Sequence, residues 1–371
     1  MYGSDIEVLR TGSCRYLEIT SVASFLQRVF LCPLATLYAA IIRIRSWLYD
    51  AKVVDTYESS LAVVSVGNVT AGGNGKTPLC MYLAAELQSR GLRPVILSRG
   101  YGGRLRGPRR VQPGDSARLV GDEPALMART GTVPVYIARS RVAGARLIER
   151  EDAGNVIVLD DGFQHRALAR QVDIVSVFAG TRDAVDLFVA GELLPLGRFR
   201  ENRQRALRRA SMVVVAERRV VSSPEELPAL DSRLLAVMPP GIPVFRSYLE
   251  ALGVAQVEGG AALPPSTIVA FAGIANPRGF FDSLRGLGFV LQGEYDFADH
   301  HTFTERNLRE LIERHPGLPL VCTAKDAVKI RSMARDIRER CGVLEVKLKV
   351  LPSDAFVVQI VRRIRSKLGG A

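Results

Sequence analysis

Lysine is scarce in this chain. Its 371 residues include 50 Lys and Arg against 38 Asp and Glu, a formal charge of +12. Only seven of those fifty are lysine, and none lies between Lys76 and Lys325. A basic surplus suits nucleic acid, an anionic membrane face or phosphorylated ligands, and by itself does not choose among them. A bias towards Arg on a solvated surface gives the same imbalance. Cysteine is also sparse: Cys14, Cys32, Cys80, Cys322 and Cys341 are odd in number and form no C-x-x-C pair. That excludes a disulfide framework and a structural zinc site, and points to a reducing compartment. Internal repeats and low-complexity tracts are absent. With 47% hydrophobic and 24% charged residues the chain is neither fibrous nor largely disordered, and its length suits one large or two medium domains.

Long apolar runs are missing too. Val29 to Ile42 is an uncharged stretch of 14 residues with Pro33 near its start, short of the roughly 18 that a spanning helix needs. It begins late for a signal peptide and lacks a small-x-small cleavage site. Arg28 precedes it, and Arg43, Arg45, Trp47 and Tyr49 follow. A buried core helix has little use for that cationic, aromatic border. The run reads instead as an interfacial helix, its apolar body in the headgroup region.

From residue 62 onward short β-branched runs alternate with helical patterns. Strands are expected at Ala62–Val66, Pro94–Ser98, Val133–Ile137, Val156–Asp160, Val172–Phe178 and Met212–Ala216, with helices after Thr77, Arg139 and Asn202. This predicts an α/β protein with a parallel sheet covered by helices. Residues 218–266 break the pattern with Pro, Gly and Ser and read as a linker. A second alternation follows: strand Thr267–Ala272, a helix from Pro277 with Asn276 as N-cap, helix Thr304–Arg314, strands Leu318–Thr323 and Val343–Val350, and helix Ser353–Lys367. The expected organisation is an N-terminal helical segment (1–50), a P-loop domain (51–217), the linker (218–266) and a smaller α/β domain (267–371).

The strongest chemical signal lies between the first strand and its helix: Thr70, Ala71, Gly72, Gly73, Asn74, Gly75, Lys76, Thr77. A glycine-rich turn lets backbone N–H groups converge on one point, and the helix N-terminus adds its positive dipole end, so polyphosphate binds there. Lys76 would reach the β- and γ-phosphates and the Thr77 hydroxyl would bind Mg²⁺. Thr70 stands where the usual pattern has its first glycine; Gly72 and Gly73 supply backbone freedom instead. A second signal is Asp160-Asp161 at the end of an apolar strand, where P-loop proteins keep a carboxylate for Mg²⁺ or its waters. The pleat sends two adjacent residues to opposite sides, so at least one faces the phosphates.

Three weaker candidates need company. Asp122 in the GDEP segment 121–124 is a possible base, though such a segment also merely starts helices. The pair His300-His301 follows Asp299, and a carboxylate beside an imidazole orients and charges it. The segment LSRGYGG (97–103), with Arg99 and Tyr101, follows a strand and so lies on the ligand-binding edge of such a sheet. In TAKD (323–326) the lysine falls one place late for a guanine signature, so GTP is not indicated.

Taken together, SVGNVTAGGNGKTP (65–78), LSRGYGG (97–103), GDEP (121–124), DDGFQH (160–165), LLPLGRFRE (193–201), AGIANP (272–277), DHH (299–301) and TAKDAVK (323–329) closely resemble the ordered motifs of the tetraacyldisaccharide 4'-kinase family. The resemblance runs from about residue 30 to 350. It implies transfer of the ATP γ-phosphoryl group to the 4'-hydroxyl of a membrane-resident, acylated glucosamine disaccharide 1-phosphate, forming lipid IVA. It also implies a peripheral enzyme on the anionic cytoplasmic face of a Gram-negative inner membrane, with no nucleic-acid or protein partner. By the same resemblance the Mg²⁺-associated acids fall on Asp160, Asp161 and Glu201 and the catalytic aspartate on Asp122. Its partner histidine falls on His300 in preference to His301. Arg99 and Tyr101 become candidates for substrate, Arg99 for the 1-phosphate. The chain departs from the family at Pro195 to Glu201, where PLGRFRE replaces PAGPLRE, in a slightly longer Asp161–Glu201 interval, and at Ala324, where the family has Glu.

Rival readings make different demands. A P-loop switch or metallochaperone at the membrane needs a guanine signature or a Cys/His cluster, and the sequence has neither. A nucleotide-binding adaptor without turnover has no use for Asp122 and the histidine pair.

Overall fold

The β-branched run at residue 62 becomes the strand on which the molecule is organised. The computed structural model describes residues 22–72, 75–131, 133–220, 225, 227–257, 262–274, 277–299 and 301–369. Gly73, Asn74, Asn276 and His300 therefore lie outside the described residues. The first part of the chain runs α1 (Val22–Asp50), β1 (Ala62–Gly67), α2 (Lys76–Ser89), β2 (Pro94–Ser98), β3 (Arg109–Arg110), α3 (Ala117–Val120), α4 (Asp122–Thr130), β4 (Val135–Ile137), α5 (Arg141–Arg150), β5 (Val156–Asp160), β6 (Val172–Phe178), α6 (Arg182–Ala190), α7 (Arg203–Arg209) and β7 (Met212–Val220). It continues with α8 (Ser232–Ala236), β8 (Val244–Gln256), β9 (Ala262–Leu263), β10 (Thr267–Ala272), α9 (Pro277–Gly286), β11 (Val290–Asp296), α10 (Glu305–Arg314), β12 (Leu320–Thr323), α11 (Ala324–Ile330), α12 (Arg335–Arg338), β13 (Cys341–Leu351) and α13 (Ser353–Leu368).

The α/β architecture expected from the alternation is present, in one sheet of order β11-β10-β12-β13-β8-β7-β6-β1-β5-β2-β4-β3, with β9 on β8. From β8 to β4 the neighbours are parallel, and so are β11, β10, β12 and β13 among themselves; β8 and β13 meet antiparallel over ten paired positions. The chain leaves β1 for β2 and returns to place β5 beside β1, then β6 on the other flank. That reversal opens a crevice at the carboxyl end of β1, where such sheets bind ligands.

The interval 218–266, expected to be a linker, carries the 13-residue strand β8, and the sheet crosses it without a break. Nor does the C-terminal part pack only on itself. Phe356, Val357, Ile360 and Ile364 of α13 are fully buried among Val64, Val66, Leu83 and Ile96 of the first lobe. A separate cluster around Phe271, Phe303, Leu308 and Leu320 holds the second lobe together.

The N-terminal run lies within a 29-residue helix that passes straight through Pro33. Phe30–Asp50 is long and apolar enough to cross a membrane by length and composition, so the 14 uncharged residues understate it. Phe30, Leu34, Leu37, Ile41, Ile44 and Trp47 recur at helical spacing and are all exposed, which leaves one apolar face of α1 uncovered by the described residues.

Candidate active site

The glycine-rich turn is built from both of its ends. Gly75, directly before α2, has φ +70° and Gly72 has φ +111°, conformations that favour glycine. The α2 N-terminus has no side-chain cap, so its first N–H groups remain available to an anion. Buried Asn68 spans the turn: its Nδ2 donates to the Gly72 carbonyl (3.1 Å) and its Oδ1 accepts from Lys76 Nζ (3.1 Å). The LLPLGRFRE segment is laced to the outside. The Ala71 N–H donates to the Arg198 carbonyl (2.7 Å), and the Arg200 N–H to the Val69 carbonyl (2.9 Å).

Asp160 ends β5 opposite Val66 of β1. Its Oδ2 accepts from Ser98 Oγ (2.9 Å), and Cys80 Sγ lies 3.8 Å from Oδ1. Burial first, then the charge of Glu123, push its carboxyl up to about 7 against the pull of Lys76. Asp161 lies just beyond the strand with φ +51°, and that left-handed turn, rather than the pleat, aims its carboxylate. Asp161 Oδ1 lies 3.2 Å from Lys76 Nζ and Oδ2 lies 3.2 Å from Arg200 Nη1. Burial alone would raise Asp161; the two cations outweigh it and hold the carboxyl below its usual range. Buried Glu201 pairs with Arg209 (2.6 Å) and accepts from Gln164 Nε2 (3.2 Å).

These groups fit a divalent cation of the Mg²⁺ kind. Buried Asp160 keeps a raised pKa, which an added cation would reverse. Among the described residues no group of three or more His, Cys, Asp or Glu forms a complete cage. Mg²⁺ ordinarily takes one or two carboxylates and completes its shell with water and phosphate oxygens.

Beside the turn opens a cleft of about 210 Å³ whose far wall is α1. Tyr38 OH donates to the Arg200 carbonyl (2.8 Å) and Arg45 Nη2 to the Gln164 carbonyl (2.7 Å). Arg166 returns the contact to the Ser46 carbonyl (3.1 Å) and to Asp50 (2.7 Å). Six arginines line the cleft against two carboxylates, Asp161 and Glu201. Arg141, at the start of α5, is nearly buried. Its Nη atoms donate to the Ala138 and Asp160 carbonyls (2.9 and 3.3 Å), and its Nε has no hydrogen-bond partner among the described residues. Burial, ahead of neighbouring charges, lowers Arg141 to about 10 and His165 to about 4. At neutral pH the cleft's positive charge is therefore arginine's alone. Arg99 belongs to its wall; Tyr101, 71% exposed, does not.

The second lobe reaches the first through α11 and α4. Asp122 is the first residue of α4, and Lys329 Nζ lies 3.2 Å from its Oδ2. His301 is half-buried between Phe297 and Phe303, with ring centroids at 4.8 and 4.9 Å, and its Nε2 has no hydrogen-bond partner among the described residues. The structure thus brings together Lys76, Thr77, Asp160, Asp161 and Glu201 around the phosphate turn. Asp122 stands at the lobe boundary.

Sequence reasoning passed over Asn68, Arg141, Arg200 and Lys329 as individuals. Asn68, Arg200 and Lys329 sit inside segments already singled out, and Lys329 belongs to a residue type the chain uses only seven times. Arg141 could have been found from its place just after a β-strand, on the ligand edge of the sheet.

A mostly parallel sheet with a glycine-rich turn at its topological switch point and paired acids at the end of the neighbouring strand defines a P-loop nucleotide-dependent enzyme. Its family is narrower. Residues 27–365 match the family described as Tetraacyldisaccharide-1-P 4'-kinase. The tetraacyldisaccharide 4'-kinase of Aeromonas salmonicida (strain A449) is 36% identical over 310 residues, covering 83% of this chain and 86% of its own. That of Shewanella pealeana is 35% identical over 340 residues, covering 91% and 93%. Among solved structures, LpxK from Aquifex aeolicus in complex with ATP superposes with a TM-score of 0.72 at 28% identity, over 91% of this chain and 99% of that one. The chain belongs to the tetraacyldisaccharide-1-P 4'-kinase family and is a phosphotransferase.

Proposed function

We propose that the chain transfers the γ-phosphoryl group of ATP to the 4'-hydroxyl of a tetraacylated disaccharide 1-phosphate, producing lipid IVA while docked on the cytoplasmic face of the inner membrane. One observation carries this reading. Asp161 both pairs with Lys76 of the phosphate turn and lines the arginine cleft whose far wall is α1. Nucleotide site, arginine cleft and the exposed apolar face of α1 are thus contiguous, as a phosphorylated lipid acceptor requires. Family membership, and an Aquifex aeolicus relative that holds ATP, support it over a nucleotide switch or metallochaperone.

Phosphoryl transfer has a loose transition state, so alignment and charge neutralisation supply most of the acceleration. Lys76 and the α2 N-terminus hold the β- and γ-phosphates. Thr77, Asp160 and Asp161 would hold Mg²⁺, with Glu201 behind them; when bound, the ion neutralises charge building on the phosphate oxygens. Arg99 and Arg141 face the acceptor's 1-phosphate. Asp122, with His300 as its partner, takes the proton of the sugar hydroxyl, a step worth ~10² to 10⁴ in rate. On α1 the exposed stripe enters the headgroup region, while Tyr38 and Arg45 turn towards the cleft.

Labelled ATP offered to a panel of lipid and protein acceptors tests the reading. Label should appear in the 4'-phosphorylated disaccharide and vanish with Lys76→Ala. Label found only in inorganic phosphate or in protein would overturn it.

A further inference from the structure

The second lobe's lysines sit where its motifs meet. Lys325 and Lys329, four residues apart, project from one face of α11. Lys325 Nζ lies 3.3 Å from Asp299, the aspartate of the DHH segment. Lys329 Nζ lies 3.2 Å from Asp122 in the first lobe, with side-chain exposures of only 9% and 16%.

Lys329 is itself held from behind. Asp326, completely buried, lies 3.3 Å from its Nζ through Oδ1. The other oxygen, Oδ2, accepts from the Gly273 N–H (3.0 Å) and the Thr323 hydroxyl (2.7 Å). The ammonium also stands 5.7 Å from the centre of the Phe303 ring, which packs edge-on to His301. Gly273 makes this packing possible: a Cβ there would come within 3.2 to 3.3 Å of Asp326, His301 and Phe303 at once. Lys329 thus links Asp326 of TAKDAVK, itself hydrogen-bonded to Gly273 of AGIANP, to the first lobe's Asp122.

We infer that Lys329 is a positioning residue that fixes the Asp122 carboxylate across the lobe boundary for proton acceptance. A buried ion pair adds little net stability over a hydrophobic substitute, so stability alone is a weak reason to build one here. An ammonium, shared here between two carboxylates and an aromatic face, has no lone pair with which to act as the base. What it does is hold one rotamer of Asp122 against the rigid seat of Asp326. The inference rests on Asp122 being the acceptor of the hydroxyl proton.

The test measures kcat and KM for both substrates in the full chain carrying Lys329→Met, Lys329→Arg, Asp122→Asn and Lys329→Met with Asp122→Asn. Misplacing a reacting group costs about 10²-fold, so Lys329→Met should lower kcat by about that much and leave the KM for ATP within about twofold. Lys329→Arg, which keeps the charge, should recover at least about a tenth of the wild-type kcat. In the Asp122→Asn background the lysine substitution should cost no more than about twofold, because its effect passes through that carboxylate. Additive losses in the double variant, or an unchanged kcat in Lys329→Met, would overturn the positioning role and leave the base intact. Near-normal turnover in Asp122→Asn would overturn the base itself, and the inference with it. Should Lys329→Met fail to fold, Lys329→Gln, which can still donate to Asp326, takes its place in the cycle.

Discussion

Lys76 shows why a residue type used seven times in 371 matters where it does occur. Its Nζ lies between Asn68 Oδ1 and Asp161 Oδ1 at 3.1 and 3.2 Å, a space for a compact ammonium rather than a planar guanidinium. The arginine excess is put to a different use, in the cleft, and it leaves a mark on His165. Burial, then Arg141 and Arg99, lower that imidazole from 6.5 to about 4. Between these values the unfolded chain takes up a proton that the folded one refuses. The associated stability is thus fully present above pH 6.5 and is lost as the pH falls towards 4. At 1.36 kcal/mol per unit, discounted for partial exposure, the loss is about 2 kcal/mol. Urea melts of wild type and His165→Asn at pH 7 and pH 4 should show the variant losing about 2 kcal/mol less; parallel losses would remove His165 as the cause. The glycine-rich turn and the Asp160-Asp161 pair were legible in the sequence because their residue types stand together in contiguous segments at strand ends, although Asp161 meets its partners Lys76 and Arg200 only in the fold. Arg141 and Lys329 were not, because their meaning comes from Asp160 and Asp122 on other elements.

Elements were legible where one local rule ruled and obscure where tertiary pairing did. Helix α10 was expected from Thr304 on its helical pattern, and Thr304 caps it through a capping box with Asn307. Strand β8 hides between MPPGIP and a glycine-rich stretch. Along its length it pairs with β7, β9 and β13, so its burial follows no simple alternation. Helix α1 was half legible: its apolar centre was plain, its length was not. Because Leu34, Leu37 and Ile41 point away from the protein, replacing all three by Glu should release the enzyme from vesicles containing anionic phospholipid. Exposed sites carry little stability, so the thermal midpoint should move by no more than about 2 °C. Full sedimentation of the triple variant with vesicles at moderate salt would show that this face is not the anchor.

At the scale of the whole molecule the two alternating halves share one sheet and part of one core. The sheet runs through both, and α13, the last helix, closes the core of the first lobe by covering β1, β6 and α2. Five of its side chains, Phe356, Val357, Ile360, Val361 and Ile364, are buried there. At about 1.5 to 3 kcal/mol each, their burial amounts to roughly 10 kcal/mol. That is the size of a typical domain's entire net stability, about 5 to 15 kcal/mol. A chain ending at residue 352 should therefore lose its cooperative unfolding transition and its ATP binding together, although every residue of the phosphate turn is retained. Ile360→Ala should reproduce the effect in miniature, destabilising the protein by about 2 to 5 kcal/mol, while Val358→Ser on the exposed face of the same helix should stay within about 0.5 kcal/mol. If the shortened chain instead binds ATP and melts in one transition, the first lobe is self-sufficient, and the second lobe, α11 included, docks on it as a separate body rather than sharing its core.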